Sequence, residues 1–198
     1  MRILVPILVW LLTASAGAQG KVDQRDIRVS WARGTPSVSF SAKHLADEKV
    51  RKELQSALRK RIVVTVTARS SQSNRTIVQR QFGCDVTRDL WEDGYLVRIA
   101  NRTERFPSLE RAINRCLVVR GLFVGDDPSR YEPFRGNEVF FTVMAEFNPI
   151  SEKQCRELIR PTGSDDAVGP ITVSIVRRRI CEAERRIEFR GTDVEVPK

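Results

Sequence analysis

The chain has 198 residues, 34 Lys+Arg against 25 Asp+Glu for a formal charge of +9, four Cys, one His and 41% hydrophobic residues. That length fits one domain or two small ones, and the apolar fraction is too high for a disordered chain. A single His excludes His-rich metal centres and leaves one candidate imidazole base.

The first residues read as an export signal. Met1-Arg2 is a short basic start, positions 3–12 (ILVPILVWLL) are apolar, and Ala16-Gly17-Ala18 is an A-x-A cleavage site. This is the pattern of a secretory signal peptide over residues 1–18, leaving 19–198 as one exported domain, periplasmic or secreted. The apolar stretch is well short of the roughly 20 residues that span a bilayer, and no later segment approaches that length. No transmembrane segment is therefore expected in the mature form.

Positions 26–32 (DIRVSWA) and 37–42 (SVSFSA) alternate apolar and polar around Arg33-Gly34-Thr35-Pro36, predicting a hairpin. Asp47 then offers an N-cap to a first helix, with Val50, Leu54, Ala57 and Leu58 at helical spacing. Positions 62–68 (IVVTVTA) are rich in β-branched residues and predict a central strand. A long alternating strand follows over 76–90, and the Asp93-Gly94 turn signal returns it through Tyr95, Val97 and Ile99.

Pro107-Ser108 opens the cleanest helix, in which Leu109, Ala112, Ile113, Cys116 and Leu117 form one apolar stripe. The Gly-, Pro- and Asp-rich stretch 121–137 is a candidate internal boundary. A strand is expected over 138–147, then a short helix capped by Ser151 and Gln154 and carrying Cys155. Positions 171–187 fit either strand or helix, with strands favoured. The order predicts an α+β domain: an antiparallel, hairpin-rich sheet with two or three helices packed on one face.

Export also decides how the cysteines read. Cys84, Cys116, Cys155 and Cys181 form an even set in an oxidising compartment, which points to two disulfides. Four cysteines allow three connectivities, and spacing favours the local pairs Cys84–Cys116 and Cys155–Cys181. Cys116 lies on the buried stripe of its helix, facing the sheet that carries Cys84. No close C-x2–4-C pair supports a zinc site.

Charge is uneven along the chain. Residues 21–80 carry 14 basic and 5 acidic side chains, residues 81–150 carry 9 and 11, and residues 151–198 carry 10 and 9. The excess centres on Lys49, Arg51, Lys52, Arg59, Lys60 and Arg61 around the first helix. That face could meet an anionic envelope component or an envelope protein, against the plainer reading of a solvated Arg-rich surface. Export and the lack of a binding motif argue against nucleic acid. The acidic groups Asp89, Glu92 and Asp93, Asp126-Asp127 and Asp165-Asp166 fit turn chemistry better than calcium.

There is no G-x-S-x-G elbow, H-E-x-x-H, P-loop or G-x-G-x-x-G, and no cofactor is implied. An enzyme would have to use His44, with Asp47 nearby and a distant serine, as an extracytoplasmic hydrolase. The non-enzymatic binding domain is the first reading, with any uncovered sheet edge as a second docking element.

Val86-Thr87-Arg88-Asp89-Leu90-Trp91, Tyr95-Leu96-Val97-Arg98 and Phe106-Pro107-Ser108-Leu109-Glu110-Arg111-Ala112 resemble a family of exported bacterial domains of unknown function. In that family a strand with an "LT..W.V" pattern precedes an "F.SL.EAL" helix, and Phe147-Asn148-Pro149 resembles its turn after a long strand. The resemblance spans most of residues 26–160. The four cysteines and the C-terminal segment depart from it. It implies an exported α+β domain and carries over no catalytic residue.

Overall fold

The computed structural model describes residues 23–150, Cys155 and residues 183–198. The signal peptide, Cys181, most of the 151–161 helix and positions 171–182 lie outside the described residues.

The strands are β1 (Asp23–Gln24), β2 (Ile27–Ala32), β3 (Thr35–Ser41), β4 (Lys60–Ser70), β5 (Thr76–Asp89), β6 (Gly94–Ile99) and β7 (Arg102–Phe106), then β8 (Val118–Phe123), β9 (Glu138–Phe147), β10 (Arg185–Arg190) and β11 (Val194–Glu195). The α-helices are α1 (Glu48–Leu54) and α2 (Leu109–Leu117), with a 3-10 turn at Lys43–Leu45. The fold is strand-dominated α+β. The expected single sheet is corrected to two: a large one ordered β1-β10-β9-β4-β5-β6-β7, with β11 also on β9, and a small one ordered β2-β3-β8. All pairings are antiparallel except β1 with β10.

The core follows from period-2 burial. Ile62, Val64, Val66 and Ala68 of β4 line up with Phe147, Ala145, Val143 and Phe141 of β9, and all of them are buried. Cys84 and Val86 of β5, Val97 of β6 and Phe189 of β10 extend this face. Val38 and Phe40 of β3, Val50 and Leu54 of α1, and Ile113 and Leu117 of α2 belong to the same cluster. The small sheet therefore shares with the helices the role that the sequence assigned to helices alone. Val63, Thr65 and Thr67, on the other face of β4, are buried too, which makes β4 the most enclosed strand.

Local chemistry sets the helix ends. The Asp47 carboxylate accepts the Val50 N–H at 3.0 Å, and the Ser108 hydroxyl accepts the Arg111 N–H at 3.4 Å, each an N-cap. The first helix ends at Leu54 rather than running to Leu58, which is 70% exposed. Ser56 folds back onto the Glu53 carbonyl through both its N–H and its hydroxyl, and the chain enters β4 at Lys60. At the β2–β3 turn Arg33 (φ 52°) and Gly34 (φ 77°) are both left-handed. Such a pair matches strand twist but suits Asn, Asp or Gly at its first position; Arg there costs roughly 1–2 kcal/mol.

Stretch 121–137 starts inside β8 and returns to the core. Val124 donates to the Pro36 carbonyl, and the buried Tyr131 hydroxyl donates to the Val124 carbonyl at 2.8 Å. The Tyr131 ring meets Trp31 edge-to-face at 5.4 Å.

The Cys84–Cys116 bridge is present, with the two Cα atoms 5.7 Å apart, and ties β5 to α2. Cys155 is buried, helical and disulfide-bonded; Cys181 lies outside the described residues. Closing a loop of 32 residues stabilises by about 3–4 kcal/mol in the chain-entropy account. Replacing Cys84 and Cys116 together by Ala should lower the unfolding free energy by about that amount in urea titrations. A change below ~1 kcal/mol would mean that the native bridge adds little to the packing around it.

Candidate functional site

The structure separates the six basic residues singled out around the first helix. Lys60 Nζ lies 2.6 Å from Glu53 Oε2, and its side chain is only 12% exposed. The Lys60 hydrogen bond holds the Glu53 carboxyl below the usual carboxylate range. Arg51 donates to Glu110 at 2.9 Å and to the Ala46 carbonyl at 2.9 Å. Arg61 lies 3.9 Å from Asp85. Half of the expected face is thus compensated within the fold. Lys49, Lys52 and Arg59 are exposed and have no ion-pair partner among the described residues.

A different surface concentrates positive charge. Lys43, Arg105, Arg111, Arg115 and Arg120 line an open groove of about 800 Å³, together with Phe106, Pro107, Asn114 and Val118. No carboxylate is among its lining residues. Helix α2 builds one wall: Arg111, Asn114 and Arg115 fall at i, i+3 and i+4 on its outer side, while Ala112, Ile113, Cys116 and Leu117 are buried. Arg105 and Phe106 come from β7, and Val118 and Arg120 from β8. Val118 and Arg120 also line a neighbouring depression of about 410 Å³, where Arg28 is 3.8 Å from Asp26 and Arg25 is paired with Asp23.

Carboxylates behind the groove hold three of its cations. Glu104 grips Arg115 in a fork at 3.0 and 2.8 Å. Arg105 bridges Asp89 at 2.9 Å and also Glu92. Lys43 reaches Glu110 at 2.7 Å, and the hydrogen bonds from Lys43 and Arg51 hold the Glu110 carboxyl below its usual range. Arg111 and Arg120 have no ion-pair partner among the described residues. The groove therefore carries two uncompensated guanidiniums among three oriented cations, with Phe106, Pro107 and Val118 as its apolar lining.

Residue counting along the chain missed this groove because its stretch, 81–150, is net acidic. Of the acids in that stretch, Asp89, Glu92, Glu104 and Glu110 pair with groove cations, while others, such as Asp85 in β5 and Glu138 and Glu146 in β9, lie elsewhere. The available signal was the polar stripe Arg111, Asn114 and Arg115 opposite the apolar stripe of the same helix.

The remaining candidates are not assembled into a catalytic group. The His44 ring stacks obliquely on Phe189 at 5.4 Å. Burial, and then the charge of Arg25, push its pKa below the usual 6.5. Among the described residues no serine or carboxylate is hydrogen-bonded to it. Nor, among them, do three or more His, Cys, Asp or Glu side chains converge as a metal site. At the β5–β6 tip the Asp89 carboxylate accepts the Trp91 and Glu92 N–H groups, which lowers its pKa. Leu90 and Trp91 project there, 64% and 97% exposed. No described helix is long and apolar enough to cross a membrane.

No protein-family model, curated protein or solved structure matches this chain.

His44 is the only histidine, so its titration can be read without ambiguity. With a folded pKa below 6.5, the unfolded chain takes up the proton first as pH falls. Stability is then full above pH ~6.5 and declines as pH drops through the folded value. An NMR titration should place the His44 midpoint below 6.5, and a midpoint at or above 6.5 would contradict the burial described here.

Proposed function

We propose that this protein is an exported, non-enzymatic binding domain that recognises an anionic component of the cell envelope through the α2 groove. The observation that carries the reading is the groove itself, with five cations, no lining carboxylate and three apolar lining residues. The Cys84–Cys116 bridge is consistent with an oxidising compartment, as is the leader-like start of the chain. The resemblance to exported domains of unknown function implies the same address.

The arrangement of the cations favours the α2 groove over the α1 face, because five of them line one concave surface that has no lining carboxylate. An anion arriving at α1 finds Arg51, Lys60 and Arg61 engaged with Glu110, Glu53 and Asp85, and Lys49, Lys52 and Arg59 exposed and unpaired among the described residues. In the groove it finds Arg111 and Arg120 without partners, flanked by cations whose side chains are held in place. Fixed donors lose less conformational entropy on binding than free ones. Lys49, Lys52 and Arg59 would act by long-range attraction, a screened effect at physiological salt.

Immobilised heparin, a sulfated polysaccharide, serves as a polyanion probe. Arg111→Glu with Arg120→Glu should weaken retention roughly tenfold at ~0.1 M salt, where the Debye length is about 10 Å. Lys49→Glu, Lys52→Glu and Arg59→Glu together should weaken it less, although that triple change alters net charge more. Retention that simply follows net charge would remove the groove as a specific site.

A further inference from the structure

A second cavity lies away from the α2 groove, where the β2–β3 turn meets the C-terminal residues. It holds about 300 Å³, at the lower end of the range for small-molecule sites. Its walls include Trp31, Tyr131, Pro128 and Pro197, and the cations Arg33 and Lys198 line it too. The walls are preformed. Tyr131 is buried, with its hydroxyl spent on the Val124 carbonyl, and its ring fixes Trp31 edge-to-face. The C-terminal residues are fastened by Val196, which accepts from the Gly136 N–H and donates to the Asn137 carbonyl.

Two features of the cavity go beyond packing. Arg33 and Lys198 have no hydrogen-bond or ion-pair partner among the described residues, in a fold where most arginines are paired. Arg135 and Glu132, both also on the lining, are by contrast paired with each other at 3.6 Å, so that the one lining side-chain carboxylate is offset within the cavity and Arg33 and Lys198 remain in excess. Arg33 also stands in left-handed backbone, φ 52°, at a turn position that suits Asn, Asp or Gly. The next residue must be small: a Cβ on Gly34 would lie 3.2 Å from Pro128 Cβ. The turn is therefore pressed against the Pro128 segment, and Arg33 lines the cavity beside it.

The geometry points to a binding site for a single carboxylated six-membered ring, the ring packing among Trp31 and the prolines and the carboxylate meeting Arg33 and Lys198. Charge-assisted hydrogen bonds from a guanidinium and an ammonium suit a carboxylate, and an aromatic wall suits either face of a ring. The volume leaves room for one ring. Sugar acids and aromatic acids share this chemistry.

D-glucuronate, benzoate and uncharged glucose are titrated into the full oxidised chain, following the Trp31 indole N–H by NMR. At least one of the two acids should bind saturably, in the roughly millimolar range expected for so small a ligand. Glucuronate binding would identify the sugar acid and benzoate binding the aromatic acid. Glucose should bind at least tenfold more weakly. Arg33→Gly should fold with equal or greater stability, because glycine relieves the left-handed strain, yet lose affinity about tenfold. Failure of both acids to bind, equal binding of glucose, or unchanged affinity in Arg33→Gly would each overturn the proposal.

Discussion

The Cys84–Cys116 bridge fixes α2 across the large sheet, and the disposition of the outer surface depends on that placement. Helix α2 is short, 9 residues, and a helix of that length is marginal on its own. Its stability comes from the stripe Ala112, Ile113, Cys116 and Leu117, all fully buried. Burial of Ile113 and Leu117 contributes about 1.5–3 kcal/mol each, and the bridge adds a covalent constraint to the same contact. Once that stripe faces β5 and β6, helical geometry leaves Arg111, Asn114 and Arg115 no direction but outward, beside β7 and β8. The groove is a consequence of the core.

Charge in this protein is organised in space rather than along the chain. The acidic residues of the middle segment act as supports. Glu104 forks to Arg115, Asp89 and Glu92 hold Arg105, and Glu110 serves both Lys43 and Arg51. These pairs are largely exposed, and such pairs contribute little to stability, typically below about 1 kcal/mol each. Their effect is directional: each restricts a long side chain whose free form would lose entropy on meeting an anion.

Much of the fold was legible in the sequence because its main elements carry strong periodicity. The β2–β3 hairpin, the long strands β4, β5 and β9, helix α2 with its Ser108 cap, and the Cys84–Cys116 pairing all follow from alternation or helical spacing. Strand β7 (RTERF) was not legible, since it is an edge strand with charge on most positions. Strand β8 begins at the residue that caps α2 and runs into the Gly- and Pro-rich stretch 121–137 that reads as a boundary, so no strand stands out there. Missing β8 hid the small sheet as well, which is completed by its pairing with β3. Ala57 and Leu58 fit a helical stripe that the Ser56 turn cuts short.

The site was less legible than the fold. Linear charge density pointed to α1, where tertiary contacts had already engaged three of six cations. The groove draws Lys43, Arg105, Arg111, Arg115 and Arg120 from four separate elements, a convergence that only the topology supplies. Amide chemical-shift mapping during titration with inositol hexaphosphate, a compact polyanion, tests this most directly. Shifts concentrated at Lys43, Arg105, Arg111, Arg115 and Arg120 are the expected result; shifts concentrated at Lys49, Lys52 and Arg59, or spread evenly over all cationic residues, would contradict it.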